Sequence, residues 1–303
     1  MPLQSNSNGK AAPGATAGKP ADAAKAGNPA DAATNGKAGK PAEAAAAAKA
    51  GRALGRRLRL RVGAEGARLD LVAGWRKPRL LATQQIEYRP GVSTLAEAVV
   101  ALDPVFTAMT AAAGPIKGLT CDALIGDAWM LYDVVRADLR SLSPSAADDV
   151  VRSALADVAG VPPSEVVTRW QTQTGGHCTI ACGMPAAVPP SLQALLRTHK
   201  LQAGEFVGEF VHEYNAHRDR LMSRCAVISL VRETGTQLAV AAGGVLTAMS
   251  FELGVRAPED LEVRGRSLLR GAGLALDGET RFFALLPAGW SPPPPWVALP
   301  TTV

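Results

Sequence analysis

Residues 1–50 contain no aromatic or branched aliphatic side chain other than Leu3, and this feature limits the possible folds of the chain most strongly. They consist almost entirely of Ala, Gly, Lys, Pro, Asn, Asp and Thr. Such a segment cannot bury enough apolar surface to offset the conformational entropy that is lost on folding. The phrase Pro-Ala-Asp/Glu-Ala-Ala begins at Pro20, Pro29 and Pro41, an uneven spacing typical of a linker rather than a solenoid. We therefore predict a disordered tail over residues 1–55.

The tail also carries the basic charge of the chain. Residues 1–60 hold ten Lys or Arg against three Asp or Glu, whereas the remainder holds 22 against 24. Such a segment could contact nucleic acid or anionic lipid by releasing counterions. Its charges are spread singly, apart from those in residues 52–59, and no aromatic residue accompanies them. This pattern favours a solubilising linker over a nucleic-acid-binding arm.

Three features of the sequence favour a cytoplasmic location. No run of about 18 apolar residues occurs, so we predict no transmembrane helix. Residues 2–9 are polar and the alanines after them are interrupted by Lys, Gly and Pro, so we predict no signal peptide. The four cysteines, at positions 121, 178, 182 and 225, are few and widely spaced, as is usual in a reducing compartment.

From residue 57 onward the pattern becomes that of a folded protein with mixed secondary structure. Leu58, Leu60 and Val62 alternate with three arginines, which is typical of a strand with one buried face. Gly126-Asp127 predicts a tight turn that joins two apolar strands into a hairpin. The predicted strands of this half are 68–73, 79–88, 119–125, 128–135, 166–173 and 177–182, and the predicted helices are 95–112, 147–158 and 191–199.

The last third of the chain repeats this order of elements. We predict three strands at 225–231, 237–242 and 245–252, a helix from residue 257 or 258 to 270, and a strand at 282–286. This alternation predicts an α/β fold with two lobes, placed at residues 56–205 and 206–290. Residues 291–303 follow as a Pro-rich tail, interpreted as a stiff segment folded back on the body.

The chain has no intact catalytic or metal-binding motif. It contains no Gly-x-Ser-x-Gly, no P-loop, and no Gly-x-Gly-x-x-Gly between a strand and a helix. His212 and His217 are five residues apart, so a helix would point them to different faces and a zinc pair is disfavoured. Cys178 and Cys182 lack the two-residue gap of a redox or zinc motif and are interpreted as structural.

Four acidic residues could in principle belong to a site, and we interpret them as solvated turn or edge positions: Asp122, Asp127, Asp133 and Glu233. The glycines of Arg270-Gly271-Ala272-Gly273 close a predicted helix. We interpret them as a helix cap rather than as a phosphate-binding loop. On these grounds the residues alone assign no biochemical activity.

Three segments of the body carry a family resemblance. They are residues 124–132 (Leu-Ile-Gly-Asp-Ala-Trp-Met-Leu-Tyr), residues 170–182 with the following helix to Lys200, and residues 228–251, which include Thr234-Gly235-Thr236 and Gly243-Gly244. In these segments and in its order of elements the chain resembles the actin-like PilM family of type IV pilus assembly and the related cytoplasmic domain of the type II secretion L protein. The resemblance covers nearly all of residues 57–290. It implies a two-lobed actin-like (ribonuclease H-like) fold with mixed sheets.

The resemblance also implies a degenerate nucleotide site. Actin-like proteins that hydrolyse ATP usually place an Asp and a Gly in the first turn of each lobe, where they hold the metal and admit the phosphates. Here those turns read Gly-Ala-Glu-Gly at 63–66 and Arg-Glu-Thr-Gly at 232–235, without Asp. We therefore expect no catalytic residue, no metal site and no required cofactor. If ATP binds, the residues expected to hold it are Glu233, Gly235, Thr236, Gly271 and Gly273.

For function, the resemblance implies a non-catalytic cytoplasmic scaffold docked at the inner membrane. Its partner would be an inner-membrane pilus or secretion subunit, whose short cytoplasmic tail it would bind and link to the assembly motor. Any membrane contact would then pass through that partner, or weakly through the basic tail. Two alternatives stay open: an actin-like ATPase with an altered nucleotide site, and a nucleic-acid binder that uses the basic tail.

Overall fold

The fold is described from a computed structural model of the chain, which covers residues 55–74, 78–221, 225–232, 234–254, 258–286 and 291–301. The predicted tail, apart from Gly55, and the candidate site residue Glu233 lie outside the described residues. The strands are β1 (Arg56–Val62), β2 (Gly66–Ala73), β3 (Arg79–Glu87), β4 (Thr120–Ile125), β5 (Leu131–Val135), β6 (Val166–Thr172), β7 (Thr179–Pro185), β8 (Gln202–Gly208), β9 (Cys225–Arg232), β10 (Gly235–Ala242), β11 (Val245–Glu252), β12 (Thr280–Leu285) and β13 (Trp296–Leu299). The α-helices are α1 (Leu95–Val100), α2 (Asp103–Ala113), α3 (Pro144–Ala159), α4 (Val188–Thr198), α5 (Glu209–Leu221) and α6 (Pro258–Gly271).

The first lobe is built on a five-stranded sheet in the order β3-β2-β1-β4-β8. β1, β2 and β3 form an antiparallel meander, and β4 and β8 join it as parallel strands. Leu58, Leu60 and Val62 of β1 are buried while the arginines between them are half-buried. The alternation in the sequence therefore predicted both the strand and its buried face correctly.

The second lobe repeats that sheet in the order β11-β10-β9-β12-β13. Its strands have the same relative directions, with an antiparallel β9-β10-β11 meander extended by parallel β12 and β13. A register shift falls between Leu71 and Val72 in the first lobe and between Val240 and Ala241 in the second, which is the same place in each second strand. The prediction of two equivalent three-strand units is consistent with this shared topology.

A smaller sheet, in the order β5-β7-β6, is inserted in the chain between β4 and β8 and packs against α3. The hairpin predicted from residues 166–182 is present as antiparallel β6 and β7. The hairpin predicted around Gly126-Asp127 is wrong, because β4 pairs with β1 and β8 while β5 pairs with β7. The reason is that Asp127 turns inward, where the Tyr132 hydroxyl and the distant amide of Phe210 hold it, and the chain leaves the first sheet at that point.

The helix predicted over residues 95–112 is two helices. Thr94 caps α1 in a capping box with Glu97, and α2 begins at Asp103 with a proline in its first turn. Taken together as Leu95–Ala113, this stretch has a mean hydropathy of 1.4 and is long and apolar enough to cross a membrane by length and composition. Here Phe106 and Met109 are fully buried in the core, which accounts for its apolar character.

Three elements were missed or placed differently by the sequence analysis. β8 and α5 were not predicted, and the lobe boundary expected between residues 205 and 206 falls inside β8, a strand of the first sheet. β13 lies within the predicted Pro-rich tail and pairs with β12. The apolar core is continuous between the lobes, since buried residues of β1, β4, β9 and β10 belong to one cluster.

Candidate functional site

Two short turns, one from each lobe, line the same cavity. In the first lobe the amide of Gly63 donates to the carbonyl oxygen of Gly66 (2.9 Å), and in the second Arg232 is in register with Gly235. A Cβ atom at Gly66 would clash with the carbonyl oxygen of Ile86, and one at Gly235 would lie 3.0 Å from the carbonyl oxygen of Glu252. Glycine at the start of β2 and of β10 therefore lets the third strand of each lobe close tightly on the turn.

The cavity between these turns has a volume of about 250 Å³. Its walls combine both turns with the segment after β4 and the start of α5. The described residues that line it are Gly63, Ala64, Glu65, Gly66, Gly126, Asp127, Ala128, Glu209, Leu230, Arg232, Thr234, Gly235 and Phe251.

Asp127 is the buried acid of this cavity, with 5% of its surface exposed. Its Oδ1 accepts hydrogen bonds from the Tyr132 hydroxyl (2.6 Å) and from the backbone amide of Phe210 (3.0 Å). Among the described residues Oδ2 has no hydrogen-bond partner. Burial raises the pKa of Asp127 to about 7, against the opposing effect of its two hydrogen bonds.

The interpretation of Asp127 as a solvated turn residue is therefore wrong. The local sequence Gly126-Asp127 is that of a tight turn, but the backbone of α5, more than eighty residues away, holds the carboxylate inside. One signal could have identified it, since Asp127 follows the buried strand β4 at its carboxyl end, where open α/β sheets place their ligand sites. Of the other acids, Asp122 lies 3.8 Å from Arg57 and remains partly exposed.

An ion pair joins the two lobes across the cleft. The Oε1 atom of Glu209, at the start of α5, accepts from Nε (3.1 Å) and Nη2 (2.7 Å) of Arg232, at the end of β9. Arg61 of β1 lies 3.9 Å from the same oxygen. The Glu209 and Arg232 side chains are 14% and 25% exposed, so this charge-assisted pair is only partly screened by solvent.

The floor of the cleft is fixed by contacts between β1 and the segment after β4. The amide of Gly126 donates to the carbonyl oxygen of Val62 (2.8 Å), and the indole Nε1 of Trp129 donates to the carbonyl oxygen of Gly63 (2.9 Å). The first-lobe turn is thus held from below by the residues that flank Asp127. This support keeps the carboxylate and the turn at a constant separation.

The residues predicted for a nucleotide site are not assembled in this cavity as a set. Gly235 lines it, whereas Thr236 is fully buried and its hydroxyl has no hydrogen-bond partner in the described part of the chain. Gly271 and Gly273 lie at the end of α6 and are not among the described lining residues. Glu233 lies outside the described residues. Asp127, Glu209 and Arg232, which the sequence analysis did not propose as site residues, contribute the charges instead.

No protein-family model and no curated protein matches the chain. Among solved structures, a Bacteroides thetaiotaomicron protein with an actin-like ATPase fold and unknown function is similar over 79% of this chain and 85% of that one, with a TM-score of 0.56 and 10% identity. The chain has an actin-like fold. A PilM–PilN type IV pilus biogenesis complex contains a chain that is similar over 76% of this protein and 80% of its own length, with a TM-score of 0.53 and 14% identity.

A third similar structure is the cytoplasmic domain of EpsL, an inner membrane component of the type II secretion system of Vibrio cholerae. It matches 82% of this chain and 90% of that one with a TM-score of 0.48 and 11% identity. The two structures with TM-scores above 0.5 are 10% and 14% identical to this chain, and they establish the actin-like architecture expected from the sequence. Function has to be argued from the site itself.

Proposed function

We propose that this protein is a non-catalytic cytoplasmic scaffold of a type IV pilus or type II secretion inner-membrane assembly, which binds the cytoplasmic tail of a membrane partner. The observation that carries the proposal is the ion pair between Glu209 and Arg232 across the interlobe cleft. Similarity in fold to a chain of the PilM–PilN type IV pilus biogenesis complex supports it.

The ion pair supports a scaffold because the positive charge of Arg232, which a nucleotide site would need for the phosphates, is already paired with Glu209. In enzymes of this fold the two turns approach the phosphates, and here the guanidinium at the second turn is already bonded to Glu209. Redirecting Arg232 to a phosphate would leave Glu209, among the described residues, with the more distant Arg61, at a cost of about 1 kcal/mol. The first-lobe turn over residues 63–66 contains Glu65 but no Asp, the acid that ATP-hydrolysing proteins of this fold usually place there to hold the metal.

The same ion pair holds the two lobes in one arrangement, which favours the binding of a partner to both lobes. A partner surface that draws on both lobes stays preformed when the lobes do not open, so less conformational entropy is lost on binding. The continuous apolar core between the lobes has the same effect.

The scaffold proposal is tested by direct binding. The full chain is titrated against synthetic cytoplasmic tails of the inner-membrane pilus and secretion subunits encoded in the same genome, with a scrambled peptide of equal composition for each tail. We expect saturable binding of at least one tail and none of its scrambled control. Failure of every tail to bind would contradict the proposal.

The non-catalytic part of the proposal needs a separate experiment. Isothermal titration calorimetry with ATP and magnesium is expected to show no binding heat at millimolar nucleotide, and a phosphate-release assay no turnover above that of buffer. Measurable binding with release of phosphate would leave the scaffold interaction possible but would refute its non-catalytic character.

One observation favours a second candidate, an actin-like ATPase with an altered nucleotide site. Asp127 lines the cleft, its buried Oδ2 atom has no described hydrogen-bond partner, and a carboxylate with a pKa of about 7 can act as a general base near neutral pH. This candidate predicts that Asp127→Asn slows phosphate release while ATP affinity is retained. The nucleic-acid alternative depends on residues that lie mostly outside the described ones, and it stays a prediction.

A further inference from the structure

A second cavity of about 250 Å³ lies where three parts of the molecule meet: the small sheet, helix α5 and the β10–β11 hairpin. The apolar part of its wall is formed by Ile180 of β7, Phe210 of α5, and Leu246 and Met249 of β11, and the uncharged polar part by Gln171, Thr172, Gln173, Thr174 and Asn215. The volume is slightly below the range usual for small-molecule sites and is sufficient for a compact ligand. None of its described lining residues is shared with the interlobe cavity that contains Asp127.

The walls of this cavity are fixed before any ligand enters. The side-chain amide of Gln173 forms two hydrogen bonds with the backbone of Leu246, one to its carbonyl oxygen and one from its amide, each of 2.7 Å. Phe210 and Tyr214 stack with their ring centroids 6.0 Å apart and their planes 19° apart. A ligand therefore meets a preorganised pocket and loses little binding free energy to ordering it.

One end of the cavity carries a positive charge. Arg218 lies two helical turns beyond Phe210 on the same face of α5 and is the only charged side chain among the described lining residues. In the described part of the chain no ion pair involves Arg218. Arg218 lies four residues after Tyr214 on α5, so the two side chains are neighbours on one face of the helix.

We propose that this cavity binds a small amphiphilic carboxylate, with its apolar or aromatic body against Phe210, Tyr214 and Met249 and its carboxylate at Arg218. The apolar walls favour an apolar body, because they gain from excluding water. The lone guanidinium selects an anionic end, since it can donate two parallel hydrogen bonds to a carboxylate. This site is separate from the function proposed above and does not depend on it.

Occupation of the cavity would connect three elements of the fold. A bound molecule would contact α5, the small sheet and the β10–β11 hairpin together, and would stabilise the folded chain by mass action. Phe210 connects this cavity to the cleft, because the side chain of Phe210 lines the cavity while its backbone amide donates to Asp127.

The test uses the full chain and three carboxylate probes of different shape: phenylacetate, 1-naphthylacetate and octanoate. Calorimetry and thermal unfolding are run with each probe and with its neutral amide. We expect at least one carboxylate to bind and to raise the melting temperature, and its amide to bind about tenfold more weakly, because a charge-assisted hydrogen bond is lost. Absence of binding by all three carboxylates at millimolar concentration would overturn the proposal.

Three variants locate the site. Arg218→Gln should weaken the carboxylate about tenfold and abolish its advantage over the amide, whereas the exposed neighbour Arg220→Gln is the matched control and should change neither. Met249→Trp fills the cavity and should block every probe. Equal effects of the two arginine variants, or unchanged binding in Met249→Trp, would place the ligand elsewhere. If only peptide tails bind, and Met249→Trp prevents this, the occupant is a protein segment and the small-molecule assignment is wrong.

Discussion

The two lobes share a sheet topology, a short connection between their first two strands and a register shift at the same place, yet they differ at one corner of the cleft. Gly63 is bonded to Gly66 in the first lobe, and Arg232 occupies the corresponding position opposite Gly235 in the second. A glycine there leaves the turn open, whereas the arginine reaches Glu209 of the first lobe. The duplicated backbone has thus been kept while a single side chain changes what the cleft can bind.

The lobes also differ in how they fill the space around the parallel strands. In the second lobe Phe282 is in register with Trp296, and the corresponding pair in the first lobe is Cys121 with Ala203. Trp296 is 5% exposed and lies close to Gly265 of α6, whose Cβ would be 3.1 Å from the indole. The second lobe therefore uses an aromatic pair where the first lobe has two small residues.

The largest expected effect comes from removing that aromatic pair. Trp296→Ala deletes a buried indole that contacts Phe282 edge-on, with ring centroids 5.1 Å apart, and should lower the free energy of unfolding by about 3 to 4 kcal/mol. Urea denaturation measures the free energy of unfolding of both proteins. Val297→Ala, at a neighbouring residue that is 52% exposed, is the control and should change stability by less than about 0.5 kcal/mol. Similar losses in both variants would show that β13 does not pack as described.

The next effect compares the two glycines that begin β2 and β10. Gly66→Ala places a methyl group against the backbone oxygen of Ile86, whereas Gly235→Ala first meets the end of the Phe251 ring, which can rotate. We expect a loss of about 2 to 3 kcal/mol for the first substitution and about 1 kcal/mol for the second. Equal losses would mean that the two turns are equally tight.

Gly271→Ala is the matched control for these two substitutions. Gly271 is the last residue of α6 and has no atom within 4 Å of the position that a Cβ would take. We expect unchanged or slightly higher stability, because alanine has less freedom in the unfolded chain. All three free energies come from urea curves recorded under one set of conditions.

The sequence predicted the three-strand unit of each lobe because their apolar patterns are local. Alternation in β1 and the mostly apolar sequences of β9 and β10 appear within eight residues, and the buried faces follow from them. β8 and α5 were missed for the opposite reason. β8 contains Gly204 and Gly208 with only two consecutive apolar residues between them, and α5 is rich in polar side chains with buried Glu213 and His217 among them.

The site could be predicted only in part, because its charges meet through long-range contacts. Gly235, predicted as a nucleotide contact, lines the cleft, whereas Asp127, Glu209 and Arg232 come from segments up to about a hundred residues apart. No local pattern reveals that the amide of Phe210 will hold Asp127. Gly271 and Gly273 were considered from a glycine pattern alone, which fits a helix end equally well.

The buried acid of the first lobe predicts how stability depends on pH. Folding raises the pKa of Asp127 from 3.8 to about 7, so between these values the folded state binds more protons than the unfolded state and stability falls as pH rises. In Asp127→Asn this dependence is absent. From pH 5 to pH 7 the wild type should lose about 2 kcal/mol relative to the variant. Urea midpoints of the wild type and of Asp127→Asn at several pH values measure this loss of stability. Parallel pH profiles of the two proteins would show that Asp127 is ionised throughout.

The smallest expected effect concerns the corner at which the lobes differ. A double-mutant cycle of Glu209→Gln and Arg232→Gln should give a coupling energy of about 1 kcal/mol, since the pair is hydrogen-bonded but partly exposed to solvent. The control is the more exposed pair of Glu262 and Arg266 on α6, with side chains 32% and 42% exposed, for which about 0.3 to 0.5 kcal/mol is expected. High salt should reduce the coupling energy of the control pair more than that of the cleft pair, because solvent ions approach the exposed control pair more closely.

If the coupling energy of the cleft pair is no larger than that of the control pair, the cleft pair does not fix the lobes. Replacing the glycine of the first lobe by Arg232 in the second would then change the charge of the cleft but not the stability of the lobe arrangement. The scaffold proposal would lose the observation that carries it.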